Sequence, residues 1–306
     1  VAERQHDADL VPVLVDGSGR DGTTLAMQLL ATSPQIAFDR VYPYEQRYFN
    51  YLLQWSRVAQ RESWDGERWN LDNLAHADAL RDTDVVGPIP WMERSLIGDP
   101  GSGDFWKAAF KAVWGEFSAR AREAMRSQLG DPSLAIRYYA QKNAESWDMP
   151  ASEIPLPEVK IVALLRDPRD VWQSSVAFHN RRKGEGGTFL PIAEGESEDA
   201  YLAEFIEQQK KRLGWLQTLQ DGEVPVVRYE SLIGDLPAEA ERLGGWLGLH
   251  LDAGAVFLRR EVFGEHITAK TPEASVGRWK SEMSDQLAGR FSAAMGAELA
   301  EFGYEA

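Results

Sequence analysis

Gly17, Arg20, Gly22, Thr23 and Thr24 are the first residues in the chain with the types and spacing for chemistry. They lie in the run Val11-Pro-Val-Leu-Val-Asp-Gly-Ser-Gly-Arg-Asp-Gly-Thr-Thr-Leu25. An apolar strand, a glycine-rich turn and a helix start form a phosphate cradle, because the unpaired N–H groups at a helix N-terminus and its dipole favour an anion. Gly17 and Gly22 have the spacing of a nucleotide-hydrolysing P-loop, G-x-x-x-x-G-K-[ST], yet Thr23 stands where the lysine belongs. The basic charge sits inside the loop instead, at Arg20, next to Asp21. The loop can hold a phosphate but lacks the apparatus for a magnesium-bound triphosphate.

A second anchor is Lys160-Ile-Val-Ala-Leu-Leu-Arg166-Asp-Pro-Arg-Asp-Val-Trp-Gln-Ser174. Here too a strand leads through a polar turn into a helix, with Asp167 as N-cap and Pro168 at the first helical position. Arg166 leaves the carboxyl end of the strand, where ligands of open α/β sheets bind, and Ser174 follows less than two turns into the helix. Taken alone, this segment reads first as a capped helix whose Arg166, Asp167 and Asp170 form surface ion pairs; its occurrence together with the altered loop reverses that.

Together the two segments resemble the sulfotransferases that use 3′-phosphoadenosine 5′-phosphosulfate (PAPS). G-x-G-R-x-G-T-T-L is similar to their 5′-phosphosulfate loop. R-D-P-R-D-x-x-x-S is similar to the motif that grips the 3′-phosphate. The broader resemblance is to the bacterial group related to carbohydrate and protein-tyrosine sulfotransferases. Val226-Val-Arg-Tyr-Glu-Ser-Leu232 resembles the V-x-Y-E-x-L element, which implies that Tyr229 lies near the nucleotide. Lys270-Thr-Pro-Glu-Ala-Ser-Val-Gly-Arg-Trp-Lys280 resembles the late segment that folds over the cofactor. That likeness makes Arg278 a phosphate contact and Lys270 a stand-in for the absent R-K-G triplet.

The resemblance implies a sulfuryl transfer to an acceptor hydroxyl. Arg20 and the amides of Asp21, Gly22, Thr23 and Thr24 would hold the donor phosphate, with the Asp21 carboxylate turned away from it. Tyr138-Tyr-Ala-Gln-Lys-Asn-Ala144 resembles the element whose lysine, here Lys142, stabilises the transferring sulfonate, although Ala144 replaces the usual proline. Tyr44-Glu-Gln-Arg47 resembles the E-x-R element of the tyrosine enzymes, making Glu45 the general base, with Asp39 and His179 as competitors. No metal is required. A P-loop small-molecule kinase, or a non-catalytic nucleotide-binding protein of the same fold, is the alternative.

These residues need a scaffold. Apolar runs at Val11 to Asp16, Ala135 to Tyr139, Val159 to Leu165 and Val224 to Arg228 are separated by helical patterns. Near-continuous Val, Ile and Leu suits strands covered on both faces, so the expected fold is α/β: a P-loop-type doubly wound, mainly parallel sheet flanked by helices. Helices are expected at about Tyr44 to Arg61, Asp104 to Leu129, Ser197 to Gln220 and Asp285 to Glu301. The whole of 1–306 reads as one domain, with a helical and loop insertion on the acceptor side around 63–130. Trp55, Trp64, Trp69, Trp91, Trp106 and Trp114 would supply stacking surfaces there, and Gly184-Glu-Gly-Gly187 would form a lid.

Composition narrows the partners. A formal net charge of −15 over 306 residues disfavours nucleic acid and heparin-like partners, and points to a small or weakly charged acceptor. The sugar, lipid, small-molecule and carrier-bound classes all stay open. The absence of cysteine excludes disulfides, zinc–thiolate sites and thiol catalysis, which makes the cytoplasm the expected location. No apolar run approaches the length of a membrane span.

Overall fold

A computed structural model describes residues 8–53, 103–143, 156–183, 198–219, 224–256 and 268–305. Among these residues the centre is a five-stranded, wholly parallel sheet in the order β2-β3-β1-β4-β5. The strands are β1 (Val11–Asp16), β2 (Ile36–Ala37), β3 (Tyr138–Asn143), β4 (Lys160–Leu165) and β5 (Val226–Arg228). The helices are α1 (Thr23–Leu30), α2 (Gly103–Leu129), α3 (Pro168–Lys183), α4 (Glu198–Leu219), α5 (Tyr229–Gly234), α6 (Leu236–Leu247), α7 (Ala253–Val256), α8 (Trp279–Glu282) and α9 (Asp285–Glu301).

The alternation of side chains along β1 divides the core between two faces. Val13 and Val15 pack with Val162, Leu164 and Val227 under α1 and α6. On the opposite face, Leu14 packs with Tyr139 and with Phe110 and Trp114 of α2. Ala163 and Leu165 of β4 meet α4 and α9 through Phe205, Leu213, Phe291 and Leu299. Apolar contact on both faces explains why these strands read as unbroken hydrophobic runs.

The strand expected at Ala135 to Tyr139 in fact occupies Tyr138–Asn143, and the expected helix from Tyr44 begins only at residue 48. Tyr44 has φ of 67°, a left-handed conformation that a helix cannot accommodate. Asp167 caps α3 as expected: its Oδ1 accepts the Arg169 N–H at 2.9 Å. Trp55, Trp64, Trp69, Trp91, the Trp106 side chain and the Gly184 to Gly187 segment lie outside the described residues. Trp114 lies in the core rather than on a stacking surface, fully buried and with its indole N–H donating to the Leu10 carbonyl at 2.8 Å.

β1 feeds α1 toward the β3 side of the sheet, while β4 continues the opposite edge. The switch in strand order therefore falls between β1 and β4, and the carboxyl ends of these two strands open the crevice where α/β sheets bind ligands.

Candidate active site

The first wall of this crevice is the turn after β1. Gly19, Arg20 and Gly22 all have positive φ, at 85°, 61° and 101°. Gly22 is the N-cap of α1, and among the described residues no side chain caps the helix, so its first-turn N–H groups face the cleft without a capping acceptor there. Gly22, Thr23 and Thr24 line a cleft of about 130 Å³. A Cβ on Gly22 would lie 2.5 Å from the Tyr229 ring, so glycine is required by both conformation and space.

Asp21 faces the other way. Its carboxylate accepts the Ser18 N–H at 2.5 Å and lies 4.0 Å from Arg212, sealed beneath the loop. It shapes the turn from below, and any contact with an anion in the cleft is left to its backbone.

The second wall comes from β4 and α3. Arg166 is 5% exposed; its guanidinium donates to the Arg20 carbonyl at 2.6 Å and the Ser275 carbonyl at 2.7 Å, and lies 4.3 Å from the Tyr229 ring centroid. Its Nε is buried and, among the described residues, has no hydrogen-bond partner. Across the cleft, Arg20 Nε donates to Ser174 Oγ at 3.1 Å, and the guanidinium stacks 4.4 Å from the Phe178 ring. Burial, then the neighbouring Arg166 charge, lower the Arg20 pKa to about 10. Two cations this close, one carrying an orphan donor, form a site that an anion would stabilise.

The late segment closes the cleft. Ser174 Oγ is 3.2 Å from Thr268 Oγ1, which accepts from Arg278 Nη1 at 3.1 Å, and Arg278 also pairs with Glu282 at 2.6 Å. Tyr229 Oη is 2.7 Å from Ser275 Oγ. Arg20, Ser174, Thr268 and Arg278 thus form one polar chain spanning both walls. Thr268, Ser275, Tyr42 and Ile233 line the cleft but were not singled out from sequence. Ser275 lay inside the recognised late motif, whereas nothing in the sequence marked Thr268 or Ile233. Lys270 is exposed and is not part of the described cleft wall, and Arg278 reaches that wall through Thr268.

A carboxylate–ammonium pair stands at the end of β3. Lys142 Nζ donates to Glu45 Oε1 at 2.7 Å, and Arg47 donates to Oε2 at 3.3 Å. Lys142 is buried, while the Glu45 side chain is 49% exposed. Lys142 pairs in register with Val15, and the Asn143 carbonyl accepts the Gly17 N–H at 3.1 Å, which seats the pair beside the loop. The structure therefore joins Glu45 and Lys142, which are 97 residues apart in sequence. Asp39 is committed to a turn, its Oδ1 accepting the Val41 N–H at 2.8 Å. His179 is half-buried on α3, one residue beyond Phe178.

A buried guanidinium donor, a helix start without a side-chain cap and a glycine where a Cβ cannot fit make a site suited to an anion. Among solved structures, the chain is similar to retinol dehydratase bound to androsterone and the inactive cofactor PAP (17% identity, 96% of this chain and 82% of that chain, TM-score 0.45). It is also similar to the sulfotransferase domain from the curacin biosynthetic pathway (14% identity, 97% and 99%, TM-score 0.44). A third likeness is to the sulfotransferase STF9 from Mycobacterium avium (15% identity, 98% and 78%, TM-score 0.45). No curated protein matches the sequence. Residues 12–253, which hold the loop, the Arg166 to Ser174 anchor and Tyr229, match the sulfotransferase family, and the chain belongs to that family.

Proposed function

We propose that this sulfotransferase takes its sulfuryl group from PAPS and passes it to an acceptor hydroxyl, with Glu45 as general base. The observation that carries this reading is the pair of basic walls facing one cleft, Arg20 with the α1 N-terminus on one side and Arg166 with Ser174 on the other. Two basic groups converging on one cleft suit a ligand with two anionic groups. The donor supplies a sulfuryl group on a 5′-phosphate leaving group, and its 3′-phosphate serves recognition.

Arg20 and the first-turn amides of α1 would balance the charge developing on the leaving phosphate. Arg166, through its orphan Nε, and Ser174 would hold the 3′-phosphate, with Arg278 acting through Thr268. The Tyr229 ring, pressed against Gly22 and Arg166, fixes the two grips relative to one another. Lys142 would neutralise the transferring sulfonate. Glu45 would accept the acceptor's proton once Lys142 turns from its carboxylate toward the sulfonate. Sulfuryl transfer needs no covalent intermediate in this arrangement; the residues place, desolvate and neutralise.

Calorimetry of adenosine 3′,5′-bisphosphate and ATP, each with and without magnesium, tests the donor assignment. Metal-independent binding of the bisphosphate is expected, and a preference for magnesium-ATP overturns the reading.

A further inference from the structure

We infer that Asp170 is a positioning residue that, with Arg169, docks the Gly277-Arg278-Trp279 turn onto the first turn of α3 and so sets the 3′-phosphate half of the cleft. The inference rests on the reading that the late segment closes over that phosphate. Asp170 is 1% exposed, and both of its oxygens are used. Oδ2 accepts the Gly277 N–H at 2.6 Å and Oδ1 accepts the Trp279 N–H at 2.9 Å. Gly277 has φ of 67°, and Trp279 is the first residue of α8, so both donors belong to positions without a regular backbone acceptor. One carboxylate satisfies both through charge-assisted bonds.

Arg169 completes the dock. Its guanidinium lies 3.7 Å from the Trp279 ring centroid and is held flat by Asp167, at 3.0 Å from Nε to Oδ1 and 2.8 Å from Nη2 to Oδ2. Arg169 is 1% exposed, so this planar donor set is fixed by packing rather than by solvent. The Arg166-Asp-Pro-Arg-Asp170 run therefore does two jobs. Arg166 faces the cleft, and Asp167, Arg169 and Asp170 hold the turn behind it.

The dock matters because the groups on either side of it reach the cleft. Arg278, between the two anchored N–H groups, donates to Thr268, which meets Ser174. Ser275, two residues before Gly277, accepts from Arg166 through its carbonyl and meets Tyr229 through its hydroxyl. If the turn shifts, the Arg278 and Ser275 contacts shift with it. The loop that grips the 5′ end meets this network at its edge, where Arg20 Nε donates to Ser174 and the Arg20 carbonyl accepts from Arg166, and it makes no bond to the Gly277 to Trp279 turn itself.

Asp170→Asn tests this with a change of one atom, since the amide offers one acceptor oxygen and a donor that opposes the second N–H. Binding of adenosine 3′,5′-bisphosphate is expected to weaken by about 10-fold or more, and of adenosine 5′-monophosphate by less than about 2-fold, the loss of one charge-assisted bond being felt at one end of the ligand. Exchange of the Gly277 and Trp279 amide hydrogens should quicken in the same variant. Equal weakening of the two nucleotides, or none, overturns the inference.

Arg278→Ala separates this idea from the reading beneath it. If Arg278→Ala leaves bisphosphate affinity unchanged, the 3′-phosphate assignment of the late segment fails; if it weakens binding while Asp170→Asn does not, only the docking role fails. Should Asp170→Asn not fold, hydrogen exchange on the unaltered protein decides. The bisphosphate, and not the monophosphate, should slow exchange at Gly277 and Trp279, and equal protection by both overturns the inference.

Discussion

Glu45 carries a carboxyl that burial pushes up, while its hydrogen bond to Lys142 and the charges of Lys142 and Arg47 outweigh that push and hold it below the usual carboxylate range. A proton acceptor must be ionised to work, and a lowered value leaves Glu45 ionised throughout the neutral range. The acid limb of kcat/KM should therefore fall below about pH 4.3, the ordinary glutamate value. Glu45→Gln should remove that limb and lower kcat by about 10²–10⁴-fold, the usual yield of general-base catalysis, with bisphosphate affinity kept. An acid limb near neutrality would overturn Glu45 as the base. Lys142 sets the other side of the profile. Burial lowers its pKa against the raising effect of Glu45, so activity should begin to fall below the ordinary lysine value of about 10.4 as the ammonium loses its proton. Lys142→Arg should move that limb upward, because a guanidinium holds its proton to higher pH than an ammonium in the same place. A limb that does not move would mean that Lys142 is not the titrating cation.

At the scale of elements, the start of α1 depends on Gly22. Its φ of 101° and the Tyr229 ring 2.5 Å from a built Cβ act together, so relaxing the backbone does not relieve the collision. Gly22→Ala should cost about 1–2 kcal/mol from the left-handed conformation alone, and should push Tyr229 off Arg166. A lower Tm together with weaker bisphosphate binding, read in one titration series, is the expected result; unchanged binding would show that the Tyr229 packing does not shape the cleft. The sequence made this loop legible because its spacing is local. It also placed β1, α2, α4 and α9 to within a residue at each end, since an apolar run or a long helical period is written in consecutive residues. β3 was displaced because its last half, Gln141-Lys-Asn143, is polar and reads as loop. Gln141 and Lys142 are buried because partners distant in sequence satisfy them: Gln141 accepts the Phe49 N–H at 2.9 Å and donates to Asn50 at 2.6 Å, and Lys142 meets Glu45. β2 has only Ile36–Ala37 and leaves no period to detect. Thr268 was missed for the same reason as the Asp170 dock, because its contacts are made across the fold.

At the scale of the molecule, the two halves of the site hang from two different strands, and one buried side chain ties those strands together. Arg212 of α4 donates to the Asp16 carboxylate at 2.6 Å and the Asp16 carbonyl at 3.2 Å, at the end of β1, and to the Leu164 carbonyl at 2.7 Å, near the end of β4. Asp16 is fully buried and Arg212 is 4% exposed. Arg212→Met would break this buried ion pair from one side, a change that typically costs about 3–5 kcal/mol. The loss should appear as a lower denaturation midpoint with an unchanged slope. A ligand that grips the ends of both strands binds only the folded state, so the bisphosphate at about 100 times its Kd should return about 2.7 kcal/mol. That gain is close to the lower end of the predicted loss, so saturating bisphosphate should restore most of the midpoint if the strand ends regain their spacing. If Arg212→Met lowers stability and the bisphosphate returns none of it, the variant has lost the geometry between the loop and Arg166, and Arg212 is then part of what fixes the distance between the two anion grips.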